Sequence, residues 1–141
     1  MNNKMKLIFS SMSKNESFAR NVISCFVLSL NPTLAELSEI KTAVSEAVTN
    51  AIVHAYRYGE GEITMEAEIV DRTIHINIFD SGRGIENISK ALEPFYTTNS
   101  EDERSGMGFT IMQSFMDNVV VESDVGSGTK VYMTKRLKQD A

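Results

Sequence analysis

The stretch EITMEAEIVDRTIHINIFDSGRG, residues 62–84, decides the fold. Ile63, Met65, Ala67 and Ile69 alternate with polar residues, Asp71-Arg72 interrupts, and Ile74, Ile76 and Ile78 alternate again. That is the pattern of a β-hairpin with one buried face. Asp80 follows the three isoleucines at even spacing, so it projects from the same buried face. A carboxylate placed there requires a partner. Gly82 and Gly84 permit a turn with φ > 0 and leave room for a flat ligand against the main chain. A ligand with an amine donor would satisfy the acid; a turn capped by an aspartate is the other reading of this Asp-x-Gly-x-Gly run.

Working upstream, Met5, Leu7 and Phe9 alternate with polar neighbours, which predicts an opening edge strand over 4–12. Ala19, Val22, Ile23, Phe26, Val27 and Leu30 then recur at helical spacing, with Ser13 and Glu16 as a capping-box signature and Asn31-Pro32 as the stop. The lone Cys25 falls on this helix and reads as core. Thr33 and Glu36 repeat the start signal for a second helix reaching about Tyr58, where Gly59 ends it. Downstream, residues 81–105 form a polar connection with a short helix around Ile88 to Leu92, and such a connection in a compact domain is more often functional than filler. Phe109, Met112, Phe115 and Met116 mark a third long helix, and VVVES, DVGSG and TKVYMTKR close the chain as a second hairpin. With strands and helices in separate runs, β-α-α-β-β-(loop)-α-β-β, the expectation is α+β: a two-layer α/β sandwich whose mixed, mainly antiparallel sheet carries its helices on one face.

A chain of 141 residues is sized for one domain, here taken as 1–141. The formal charge is −5 and no dense basic stripe interrupts it, which argues against direct nucleic-acid binding. A single cysteine allows neither an intrachain disulfide nor a zinc cluster. No apolar run suits a signal peptide or a membrane span, which makes the cytoplasm the expected compartment and excludes a membrane partner.

On a helical wheel at about 100° per residue, Glu46 lies about 180° from Leu37, whereas Val44, Val48, Ala51 and Ala55 stay within about 40° of it. Asn50 and His54 continue the Glu46 line at one-turn steps, beside the small Ala43 and Ala47. This face is either a solvated flank or one wall of a site that something approaches closely. Ser105-Gly106-Met107-Gly108 stands directly before the third helix, where backbone N–H groups can converge on an anion, with Arg104 adding a positive charge. GSGTK at 126–130 lacks P-loop spacing and falls in a hairpin turn.

Taken in order, Glu-x3-Asn on a helix, Asp-x-Gly-x-Gly after a strand, Gly-x-Gly at a helix start and Gly-Thr in the last hairpin resemble the GHKL ATPase/kinase superfamily, over nearly the whole chain. The resemblance implies the Bergerat fold, with ATP or ADP and Mg²⁺ as cofactors. It implies Asn50 as the Mg²⁺ ligand, Glu46 as the general base and Asp80 as the acceptor for the adenine amine. Gly82 and Gly84 would shape the adenine pocket, with Thr129 in support. Residues from about 94 to 105 would be the lid over the phosphates, contributing Thr97, Thr98, the catalytic Arg104 and Ser105, while Gly106, Met107 and Gly108 would cradle them.

Within the superfamily, the passages MKLIFSSMSKNESFARNVISCFV, EIKTAVSEAVTNAIVHAY, FDSGRGI, EPFYTTN and ERSGMGF resemble the stand-alone anti-sigma-factor serine kinases. That branch implies a homodimer that holds a sporulation sigma factor inactive with adenine nucleotide bound, and that phosphorylates a serine of an anti-anti-sigma antagonist. Arg20, beside the apolar stripe of the first helix, is either a partner contact or a solvated arginine. His54 and His75 do not have the placement of a dedicated phospho-acceptor. The competing readings are a detached histidine-kinase catalytic domain acting in trans and an ATP-gated binding module without transfer.

Overall fold

The computed structural model describes residues 2–56, 60–82 and 108–138. Among these residues five strands, β1 (Asn2–Ser10), β2 (Glu62–Val70), β3 (Thr73–Asp80), β4 (Asn118–Asp124) and β5 (Gly128–Arg136), form one sheet in the order β1-β2-β3-β5-β4. All four pairings are antiparallel, so the sheet is not mixed among the described strands. Among the described residues three α-helices cover it: α1 (Asn15–Val27), α2 (Leu34–Asn50) and α3 (Gly108–Phe115). The result is the expected α+β sandwich with β1 at one edge.

Strand alternation produces the single covered face. Ile63, Met65, Ala67 and Ile69 of β2, Ile74, Ile76 and Ile78 of β3, and Val131 and Met133 of β5 are all buried. They meet Ala19, Ile23 and Val27 of α1, Ile40, Val44 and Val48 of α2, and Phe109 and Met112 of α3 in one core cluster. Each fully buried isoleucine contributes roughly 1.5–3 kcal/mol, so the nine-residue ladder of β2 is fixed in register by the cost of turning its isoleucines outward. The other face carries the polar partners, such as Lys4 opposite Glu68 and Lys6 opposite Glu66.

Several local expectations change. The Ser13–Glu16 capping box does not form: α1 starts at Asn15 without a side-chain cap, and Glu16 turns away to accept from the hydroxyl of buried Ser45 and to meet Arg20 at 3.7 Å. A tertiary partner outcompetes the local one. Cys25 is exposed, since it lies off the Ala19, Ile23, Val27 stripe. The Thr33 box does form, with Glu36 N–H donating to Thr33 Oγ1 at 3.0 Å and Thr33 N–H to Glu36 Oε1 at 2.9 Å. α2 ends at Asn50 and continues as a wider π-helical turn, Ala51–Ala55, closed by Tyr56 N–H on the Ala51 carbonyl at 3.1 Å. Tyr58 and Gly59, the expected end of this helix, and the short helix around 88–92 lie outside the described residues.

Candidate functional site

Asp80 is the last residue of β3 and only 9% exposed. Its Oδ1 accepts from Gly82 N–H at 2.9 Å and from Thr129 N–H at 3.3 Å. Burial pushes the carboxyl above its usual range, and these two donors offset part of that push. Both bonds fall on one oxygen, so among the described residues Oδ2 keeps its acceptor capacity. Thr129 therefore serves Asp80 through its backbone, while its buried hydroxyl pairs with Ser123 Oγ at 2.9 Å.

Gly128 makes this packing possible. Its φ is +108°, and a Cβ there would overlap the Asp80 carbonyl and lie 2.8 Å from Ser81 Cα. Only glycine combines that conformation with that approach. Composition alone did not single out Gly128; the signal was its place before Thr129 in the last hairpin. An open depression of about 410 Å³ lies at the same turn, lined by Asp80, Ser81, Gly128 and Thr129 together with Phe79 and Lys130.

The second group lies on α2. Glu46 and Asn50 are half-buried, flanked by fully covered Ala43 and Ala47. α3 packs against α2, and the Cβ position of Gly108, the first residue of α3, is 3.5 Å from Glu46 Oε2. The small residues thus permit approach by a helix start, whose N–H groups favour an anion. Glu46 is a hydrogen-bonding or charged partner to another group as well.

Tyr56 joins the two groups and was missed in the sequence. Its hydroxyl accepts from Ser81 N–H at 2.7 Å and donates to the Glu62 carbonyl at 2.7 Å. Burial, foremost, raises its pKa. Of the other expected site residues, Gly84, Thr97, Thr98, Arg104, Ser105, Gly106 and Met107, with the lid at 94–105, lie outside the described residues. So does the His54 side chain, whereas His75 faces Tyr132, with Nδ1 2.7 Å from the phenol oxygen.

The chain belongs to the histidine kinase-like ATPase domain family, whose model matches residues 12–135. The fold agrees: the catalytic domain of the histidine kinase ThkA superposes with a TM-score of 0.60 at 16% identity, covering 94% of this chain and 96% of that one. The crystal structure of the RsbU and RsbW domains of Rv1364c from Mycobacterium tuberculosis gives 0.72 at 17% identity, covering 99% of this chain but only 34% of that one. Within the family, the chain is similar to the anti-sigma F factors. That of Caldanaerobacter subterraneus subsp. tengcongensis is 56% identical over 136 residues, 96% of this chain and 95% of its own length. That of Clostridium acetobutylicum is 54% identical over 137 residues, 97% and 96% respectively.

Proposed function

We propose that this chain is an anti-sigma factor and an ATP-dependent serine/threonine protein kinase. It binds and inhibits a sporulation sigma factor, sigma F, when adenine nucleotide is bound, and phosphorylates a serine of the anti-anti-sigma antagonist. It acts in the cytoplasm as a homodimer. The observation that carries the nucleotide half is the buried Asp80 carboxylate, oriented by two backbone donors and with one oxygen left to accept from an exocyclic amine. The relatives' name, anti-sigma F factor, supports the partner half.

Asp80 reads adenine, Gly82 and Gly84 shape its pocket, and the start of α3 with Gly106, Met107 and Gly108 receives the phosphates. Thr97, Thr98, Arg104 and Ser105 close over them. The amide oxygen of Asn50 is a hard donor on a half-buried helix face, which suits Mg²⁺ held by one protein oxygen together with phosphates and water. The metal would neutralise phosphate charge during transfer. Among the described residues no three His, Cys, Asp or Glu side chains cluster into a cage for it. Glu46, beside the α3 start, takes the proton of the acceptor hydroxyl.

Incubation with γ-labelled ATP and the candidate antagonist tests the proposal. Transfer of acid-stable label is expected; acid-labile label, the mark of phosphohistidine, would overturn the serine assignment. Glu46→Ala should retain nucleotide binding and lose transfer by roughly 10²–10⁴-fold, the usual scale of general-base catalysis. Undiminished transfer would remove Glu46 from the base role.

A further inference from the structure

The β2–β3 ladder pairs Ile63 with Asp80, so the next pair in register would be Glu62 with Ser81. That pair does not form in the sheet. The Tyr56 hydroxyl is interposed instead, accepting from Ser81 N–H and donating to the Glu62 carbonyl, each at 2.7 Å. It satisfies both backbone groups while holding the strand ends apart. The chain can then turn at once, and Gly82 N–H closes back on Asp80 Oδ1 at 2.9 Å.

Two features deliver the phenol to this position. The π-helical turn Ala51–Ala55 adds a residue to the end of α2 and rotates Tyr56 relative to a regular helix. Gly61 provides the slot: a Cβ there would meet the ring, with Cδ1 and Cζ both at 2.6 Å. No positive φ demands glycine at 61; the ring does.

We infer that Tyr56 is a positioning residue for base recognition, a wedge that ends the β2–β3 ladder at Asp80 and sets the direction of its carboxylate, with Gly61 as the ring's seat. The inference rests on the reading of Asp80 as the adenine acceptor. It makes the end of the helix bearing Glu46 and Asn50 part of the base pocket.

The test compares ADP with IDP, which lacks the exocyclic amine, by calorimetric titration of the whole chain, for wild type, Tyr56→Phe, Gly61→Ala, Tyr56→Ala and the Gly61→Ala/Tyr56→Ala double variant. Wild type should prefer ADP. Tyr56→Phe should weaken ADP by about tenfold, the effect of one misplaced hydrogen bond, and leave IDP unchanged. Gly61→Ala should do the same in the presence of the ring, and add nothing to Tyr56→Ala. A merely structural tyrosine would weaken both nucleotides equally or neither, and that result, with the wild-type preference intact, overturns the wedge alone. Equal binding of ADP and IDP by wild type overturns the adenine role of Asp80 and the wedge with it.

Discussion

Asp80 is a buried acid whose environment opposes its charge, and its behaviour separates stability from function. Because the folded carboxyl holds its proton to higher pH than the unfolded one, it costs the fold stability as pH rises from the ordinary carboxylate range through the raised value. Asp80→Asn keeps an oxygen for Gly82 and Thr129 but removes that ionisation. Denaturant unfolding at mildly alkaline pH should find the variant at least as stable as wild type without nucleotide, while titration finds adenine binding lost; a large destabilisation would show the carboxylate to be structural. Gly128→Ala should behave oppositely. A left-handed backbone and overlap with the Asp80 carbonyl should cost roughly 1–3 kcal/mol of stability together with the site, visible as a lower thermal midpoint and weaker nucleotide binding. Much of this was legible beforehand: strand parity alone put Asp80 on the buried face. Which backbone groups would orient it was not, because Thr129 is 49 residues away and reaches it only once β5 pairs with β3.

At the scale of elements, the start of α2 shows how one local motif reaches across the chain. Glu36 caps its own helix with Oε1 and accepts from Lys138 N–H with Oε2 at 2.8 Å. Burial pushes its carboxyl up, but the donors from Thr33 and Lys138 and the charge of Lys135 prevail and hold it below the usual range. A carboxyl lowered in the fold contributes stability that is complete above the unfolded pKa and is lost as pH falls through the folded one. Glu36→Gln should therefore flatten the acid limb of a stability–pH profile. Thr33→Ala should cost about 0.5–2 kcal/mol by denaturant unfolding, the usual value of an N-cap, and should soften the acid limb in part, because the Thr33 hydroxyl is one of the groups that hold Glu36 low. Lys135 completes the frame, donating to Glu39 Oε2 at 3.3 Å and to the Phe115 carbonyl at 2.7 Å, which ties the end of α3 to α2 and β5. The contrast between the two capping boxes is instructive. Thr33–Glu36 forms because Glu36 divides its two oxygens between the cap and Lys138, whereas Glu16 is drawn to Ser45 on the neighbouring helix.

For the whole molecule, a nucleotide that binds only the folded state adds stability by linkage. ADP at 100 times its dissociation constant should raise unfolding stability by about 2.7 kcal/mol, read as an increase in thermal midpoint that Asp80→Asn abolishes. Absence of any shift for wild type would contradict nucleotide binding. The sequence by itself determined the layer architecture, the single buried sheet face, the parity of Asp80 and the line of Glu46 and Asn50 on one helix, since these follow from periods of two and 3.6 residues within single elements. Its family motifs pointed to a nucleotide site before any geometry was available. Only the tertiary structure decided that β3 pairs with β5 and so brings Gly128 and Thr129 to Asp80, that Gly108 abuts Glu46, that Cys25 faces solvent, and that Tyr56 wedges the β2–β3 ladder. The physical reason is the same in each case: the partner is far along the chain or depends on a close approach, and local pattern carries no information about which distant backbone group will arrive within hydrogen-bonding distance.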